Sequence, residues 1–542
     1  MRVGVLRDRT AVLGLGGAAG VVLGALSPWA TFSGFPGKMS LGGFPGGARL
    51  FCLLLVAGAA LFVVDIAGRR RAAVAAALGC VAVAAFNVVA IAGEGEGLGG
   101  VAWGAWLTVA GAGAASVAAF LLPVDRRPDD DRRRLPAPVE AAAIAAGVLA
   151  VLGVVVWALQ IEESSRFVSF LVFVGFGALA LHHLGLFSWM SVLSARHQRI
   201  ALLLGGAAAV AFPFTQQGNA YWLRVFASIG VFAVAAIGLN VVVGLAGLLD
   251  LGYVAFFGVG AYVGALLANA SLTTVHIHAP FLVVVLLGGV IAAVFGLVIG
   301  APTLRLRGDY LAIVTLGFGE IFRITANNWD GLTRGPNGIS GVPDLALGGV
   351  NFGEAHTVLG VSLPGFANYY YVELLLLAAA ILIFTRLNGS RIGRAWVAIR
   401  EDETAAAASG VDTVRLKLLA FAIGAFLAGM AGTVNAHVTT QVSPDSYTFL
   451  ESILLVAAVV LGGMGTVPGA LLGSAALFII PEKLRAFQDK RLLLFGIALI
   501  LMMRLRPEGI VPSRRRQREL REEAPEGIRG ATGAPPGAPV AS

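Results

Sequence analysis

Residues 238–267 read GLNVVVGLAGLLDLGYVAFFGVGAYVGALL, and Asp250 is the one charged side chain among them. No polar stripe runs along this stretch, as a helix lying in water would need. Apolar runs at 221–243 and 253–269 flank Leu245–Gly252. Each is long enough for a spanning helix, which needs roughly 17–25 predominantly apolar residues. The glycines around Asp250 mark an interruption between two spans.

The same ruler applied outward gives further runs near 11–27, 50–67, 72–91, 101–123, 138–159, 167–189 and 199–213 before this stretch. After it come 281–301, 310–327, 369–386, 416–436, a long region from Ile453 to Ile480, and 492–503. Gly462-Gly463-Met464-Gly465 and Pro468-Gly469 break the region from Ile453, which reads as two short spans or a re-entrant pair. The count is about sixteen spans by this length rule. Composition agrees: 57% of the 542 residues are hydrophobic, 13% are charged, and the mean hydropathy is +0.84. Soluble domains carry about 25% charged residues, and a globule in water must present a polar outside. The fold class is therefore an all-α, polytopic transmembrane helix bundle.

The net charge of +8 does not imply nucleic acid, because the basic residues sit in short clusters between apolar runs. That is the pattern of membrane topology, with Lys and Arg on the cytoplasmic side. Arg69-Arg70-Arg71, then Arg126, Arg127 and Arg132–Arg134, then Arg196 and Arg199, then Arg305 and Arg307, and then the loop from Arg386 to Lys417 fall on one side. Both termini are then cytoplasmic. Lys483, Arg485, Lys490 and Arg491 break the alternation. The basic N-terminus and the run from Ala11 look like a signal peptide, but further spans follow at once, which favours a retained first span. Cys52 and Cys80 lie inside apolar runs and imply neither a disulfide framework nor a metal cluster. His182-His183 lacks Cys or carboxylate partners for a metal.

The segment DRRPDDDRRRLPAP, from Asp125, is too polar to span and reads as a linker. The expected organisation is a four-helix transmembrane module of unknown role at 1–124, a cytoplasmic linker at 125–137, a larger transmembrane domain at 138–512 and a disordered cytoplasmic tail at 513–542.

The most informative loop runs RIGRAWVAIREDETAAAASGVDTVRLK, Arg391–Lys417. Glu401, Asp402 and Glu403 precede four alanines, and Gly410 follows. Acidic residues favour a helix N-terminus, alanine the interior and glycine the position past the end. A short exposed helix of about two turns is predicted inside a cytoplasmic loop. By itself it is a connector or a docking element.

GRAWVAIREDETAAAASG with VRLKLLAFAIGAFLAGMAG resembles the inner loop and following helix of branched-chain amino-acid ABC permeases. So do residues 238–267, GDYLAIVTLGFGEIFRITANNWDGLTRGPNGISGVP from Gly308, and SPDSYTFLESILLVAAVVLGGMGTVPGALLGS from Ser443. The four stretches lie in the right order, cover roughly Phe167 to Arg514, and are most similar to the M-type subunit. The resemblance implies an importer permease with about four extra N-terminal helices. It implies a second related permease subunit, two cytoplasmic ATPases and an external solute-binding protein, in a bacterial-type plasma membrane. Arg394, Arg400, Glu401, Asp402, Glu403 and Gly410 would form the ATPase-coupling loop.

No G-x-x-x-x-G-K-[ST] phosphate loop occurs; Gly34-Phe35-Pro36-Gly37-Lys38 is the nearest fragment. The chain is not expected to hydrolyse ATP, and no cofactor is implied. An ionisable group in a bilayer is costly unless it faces a cavity or a partner. Glu320 and Arg323, three apart, pair as a structural lock or line the pathway, with Asn327 following. Asp250 lines the pathway or caps a half-helix; interrupted helices are where transporters place substrate sites. Gly258, Gly260 and Gly264 read first as close helix packing. Pro336-Asn337-Gly338 is a turn, or a contact on the binding-protein side by resemblance. Rival readings are a permease for urea or short amides, a stand-alone ion-coupled transporter, and a membrane enzyme. The loop argues against the second; the spans hold no catalytic constellation for the third.

Overall fold

A computed structural model describes residues 2–30, 48–64, 66–93, 97–123, 136–161, 163–216, 219–268, 280–303, 309–347, 350–358 and 360–483, with short pieces at 496–497, 500, 504 and 509–511. The charged segment 125–135, the tail from 513, most of the run 492–503, the fragment Gly34–Lys38, and Arg305, Arg307, Arg485, Lys490 and Arg491 lie outside the described residues. The chain divides into two compact units, 1–212 and 213–542.

The first unit holds α1 (Arg2–Leu26), α2 (Ala48–Val56), α3 (Arg69–Gly93), α4 (Trp103–Leu121), α5 (Ala137–Gln160), α6 (Ser164–His183), α7 (Leu186–Arg196) and most of α8 (Gln198–Thr215). Small residues set its closest contact. A Cβ on Gly17 of α1 would lie 2.6 Å from the Gly111 carbonyl of α4, and one on Gly24 would lie 2.4 Å from the Thr108 hydroxyl. The two helices run antiparallel at backbone-to-backbone distance, where helix association in lipid relies on packing. Phe51 stacks on Phe173 at 5.4 Å, with Phe170 edge-on to Phe51 and Trp157 edge-on to Phe173. Asn87 is fully buried and donates to the Ser169 hydroxyl at 2.8 Å. Buried Glu140 on α5 receives Arg196 and His197, each at 2.7 Å. Thus α5 to α7 pack with the first helices, and the boundary between the units falls after the charged segment, at Pro213 within α8.

The second unit holds α9 (Ala220–Leu239), α10 (Val254–Leu267), α11 (Phe281–Thr303), α12 (Asp309–Asn328), α13 (Asp330–Thr333), α14 (Gly365–Asn388), α15 (Arg391–Glu401), α16 (Glu403–Ala408), α17 (Thr413–Thr439), α18 (Phe449–Gly462) and α19 (Val467–Lys483). Its centre is α17. Gly288, Ala292 and Gly296 of α11 meet Thr433, Gly429 and Ala425 of α17 in descending order, an antiparallel contact stepped every four residues. On another side, a Cβ on Gly260 of α10 would fall 2.0 Å from the Gly429 carbonyl, and one on Gly432 would fall 1.9 Å from the Phe257 carbonyl. The Thr433 hydroxyl sits within 2.9 Å of both the Gly260 and Gly429 carbonyls. Close packing is therefore the structural meaning of Gly260 and Gly264, as their spacing predicts.

The broken region from Ile453 is a hairpin. α18 and α19 turn at Gly463–Thr466, and Gly462 meets Gly469 while Ala458 meets Gly473. Residues 339–363 carry short strands rather than plain loop: β1 (Ile339–Ser340), the paired β2 (Ala346–Leu347) and β3 (Val350–Asn351), and the hairpin of β4 (His356–Val358) with β5 (Val361–Leu363). β1 pairs antiparallel with β6 (Gln441–Val442), Ile339 opposite Val442, which fixes this segment to the end of α17.

Among the described residues, eleven helical segments are long and apolar enough to cross a membrane. The expected spans at 50–67 and 253–269 correspond to the shorter apolar helices Ala48–Phe62 and Val254–Leu267. The chain is a polytopic all-α membrane protein.

Candidate coupling loop and translocation pathway

The loop after α14 folds as two helices, not one. Ser390 caps α15, its hydroxyl accepting from Gly393 N at 3.2 Å. α15 buries Trp396 and Ile399 and leaves Arg391 and Arg394 exposed. The Trp396 indole donates to the Leu416 carbonyl at 2.7 Å, which fixes α15 to the first turn of α17. Sequence reasoning treated this amphipathic segment as loop.

Asp402 ends α15 in extended backbone and caps α16, its Oδ1 accepting from Thr404 N at 2.8 Å and Ala405 N at 3.0 Å. A cap of this kind is worth about 1 kcal/mol. At the other end Gly410 takes φ +83°. Its N–H bonds the Ala407 carbonyl at 3.0 Å, and Val411 N bonds the Ala406 carbonyl at 3.1 Å. This pair of bonds closes a helix through a left-handed residue, where glycine is favoured. The short helix predicted from the acidic and alanine signals is present, with Asp402 as its cap. Ala406 faces inward, while Thr404, Ala405, Ala407 and Ala408 are exposed.

The acidic residues have different partners. Glu401 is exposed. Glu403 Oε1 meets Lys417 Nζ at 2.5 Å, and Lys417 is itself buried. Arg400 points away from the surface helix and donates from Nη1 to the Gly244 carbonyl at 2.7 Å. Its stem packs against Gly247, where a Cβ would lie 2.6 Å from Arg400 Cγ. Gly247 has φ +72°, a conformation that suits glycine.

Gly244 lies in the interruption that the sequence places between two spans. Residues Asn240–Leu245 form a π-helical turn at the end of α9, and 246–252 are irregular before α10. Single π turns inside helices are frequent at functional sites. Buried backbone groups in lipid need partners, and side chains supply them here. Leu251 N donates to the Thr315 hydroxyl, Gly252 N to Asp250 Oδ1 and Val254 N to the Ser452 hydroxyl, each at 3.0 Å. Asn240 holds the second break: its Nδ2 donates to the Thr466 carbonyl at 3.0 Å, and its Oδ1 accepts from Gly465 N at 2.7 Å. The loop arginine, the π turn and the α18–α19 turn are thus joined through Gly244 and Asn240.

Asp250 is buried, and its Oδ2 has no hydrogen-bond partner among the described residues. Its loop rests on α12, where a Cβ on Gly252 would lie 1.8 Å from the Thr315 carbonyl. One turn further along α12, Glu320 and Arg323 pair as expected, Oε1 to Nη2 at 2.5 Å. Arg323 Nη1 also lies 3.7 Å from Asp445, a third member that spacing along the helix could not reveal. Asn327 follows, half-buried, with its carbonyl against Gly335. Glu373 on α14 was missed. It packs against Gly230 of α9, and neither of its buried oxygens has a partner among the described residues. A lone carboxylate inside YYYVELLLL was its visible signal.

Residues 221–503 match the family model described as "Branched-chain amino acid transport system / permease component". The chain is 40% identical over 344 residues to the high-affinity branched-chain amino acid transport system permease protein LivM of Escherichia coli K12, covering 61% of this chain and 79% of that protein. It is 28% identical over 286 residues to LivH of the same organism, covering 52% of this chain and 91% of LivH. It is 24% identical over 302 residues to a probable LivM of Methanocaldococcus jannaschii, covering 51% and 84%. No solved structure matches the chain significantly. The matched region holds both breaks, the α15–α16 loop and the charged group on α12, and the chain belongs to the family of branched-chain amino acid transport permeases.

Proposed function

We propose that this chain is the membrane-spanning permease subunit of an ATP-driven importer. It translocates branched-chain or related amino acids delivered by an external solute-binding protein. It works beside a second, related permease subunit and two cytoplasmic ATPases, which hydrolyse the ATP. Both termini face the cytoplasm of a bacterial-type inner membrane. The expected partition into 1–124, 125–137, 138–512 and 513–542 belongs to this reading as an order along the chain, although α5 to α7 pack with the first helices, and 221–503 is its family core.

The observation that carries the reading is α16. It is short, capped at both ends, faced with small exposed side chains, and fixed through α15 to a broken spanning helix. An ATPase groove can take such a helix, with Arg394 and Glu401 exposed beside it. Asp402 and Gly410 then shape the element, Glu403 anchors it through Lys417, and Arg400 transmits its displacement to Gly244. Asp250, Glu320, Arg323 and Asn327 line the pathway that opens at the break. Asp250 Oδ2, without a hydrogen-bond partner among the described residues, is a group that would receive a substrate ammonium. Urea and short amides carry no such cation, so competition in uptake separates the two substrate classes.

Reconstitution with candidate ATPases tests the loop. Replacing Glu401, Asp402 and Glu403 with Ala uncouples ATP hydrolysis from uptake while membrane insertion continues. Asp402→Asn retains a capping side chain and retains coupling. Unchanged transport in the triple variant removes the coupling assignment.

A further inference from the structure

The first unit lies outside the family match, yet it carries a cleft of about 290 Å³ between α3, α4 and α6. Arg70, Arg71, Val74, Ala75 and Leu78 of α3 form one wall, with Phe120 of α4 and Phe176, Leu179 and His183 of α6 opposite. The cleft has a charge gradient. Arg70, Arg71 and His183 stand at one end, and the lining from Val74 to Leu78 and from Phe176 to Leu179 is apolar. Arg70 and Leu78 are about 12 Å apart along α3, by the helical rise. The described lining holds no carboxylate.

The cleft is built rather than incidental. Arg70 donates from Nη2 to the Phe120 carbonyl at 3.0 Å, which draws the ends of α3 and α4 together. Gly68, at φ +82°, brings its backbone so close to the His183 carbonyl that a Cβ would lie 1.9 Å from it. Gly79 leaves room for Phe176, whose Cβ would be 2.7 Å from a Cβ at that position. Leu78, Leu179 and Phe120 stay exposed despite their size.

The loop charges place the start of α3 and the ends of α4 and α6 on the same, cytoplasmic side. The basic mouth therefore sits at the level of inner-leaflet headgroups and the apolar wall at the level of acyl chains. Basic pockets between spanning helices on this side suit anionic headgroups, and an arginine fork matches phosphate oxygens. We propose that this cleft binds an anionic phospholipid of the inner leaflet, its phosphate on Arg70 and Arg71 and one acyl chain along Val74, Leu78, Phe176 and Leu179. The site is independent of the transported substrate.

The test is native mass spectrometry of the purified full chain. The chain is given equal phosphatidylglycerol and phosphatidylcholine with identical acyl chains. Wild type retains phosphatidylglycerol preferentially. Arg70→Gln/Arg71→Gln lowers that preference about thirty-fold, and Arg71→Gln alone about five-fold. Arg71 is exposed, so its single variant tests the site even where the double variant fails to fold. Millimolar inorganic phosphate leaves the bound lipid in place. Equal retention of the two lipids, full preference in Arg71→Gln, or displacement by inorganic phosphate overturns the proposal.

Discussion

Replacing Arg400 with Met removes the guanidinium and keeps most of the packing of its stem. The methionine stem still covers Gly247, but the Gly244 carbonyl loses the guanidinium that meets it at 2.7 Å. A hydrogen bond to a charged group contributes about 1.5–3 kcal/mol. If that bond ties the loop to the π turn, its loss weakens the coupling of loop and break by about ten- to one-hundred-and-fifty-fold. In proteoliposomes containing the assembled transporter, ATP hydrolysis should persist in Arg400→Met while substrate moved per ATP falls. Arg400→Lys, which keeps a charged donor of different geometry, should lie between. Gly247→Ala should resemble Arg400→Met, because it strains φ +72° and crowds the Arg400 stem. A wild-type ratio of uptake to hydrolysis in Arg400→Met would refute the reasoning. So would an equal loss of both activities, which would mean that the arginine holds the ATPase rather than transmitting its movement.

Two further outcomes test the packing. Gly432→Val should prevent accumulation of folded protein, because its Cβ would fall 1.9 Å from the Phe257 carbonyl, whereas Gly317→Ala, with open space, should melt within about 1 °C of wild type by thermal scanning in detergent. Glu373→Gln should be at least as thermostable as wild type, since it removes a buried carboxylate that has no partner among the described residues, and burying it as a charge costs several kcal/mol; a loss of stability would reveal a cation bound there.

What the sequence makes legible is local. Asp402, the alanines and Gly410 lie within nine residues of one another, so capping and propensity act on neighbours and announce α16. Glu320 and Arg323 share a helix face and announce their pair. The contacts that give α16 its proposed role are distant in sequence: Arg400 reaches Gly244, Asn240 reaches Gly465, and Lys417 reaches back to Glu403. Nothing about an arginine after Val-Ala-Ile shows that it turns inward. Hydropathy also misjudges helix length where glycines intervene. Within the run 253–269 the helix α10 is fourteen residues long, and its start is set by the break before it. Across the charged segment at 125–135, Trp157 with Phe51 packs α5 against α2, and Glu140 with Arg196 and His197 then holds the end of α7 to α5. Those partners are 56 and 106 residues apart, beyond the reach of any local pattern.

The central claim is tested most directly by uptake of a labelled branched-chain amino acid into proteoliposomes. These hold the chain, its related permease partner and both ATPases, with the binding protein outside and ATP within. The account predicts uptake that stops when ATP, either ATPase or the binding protein is withheld. Uptake by this chain alone, driven by an ion gradient and indifferent to ATP, would contradict it.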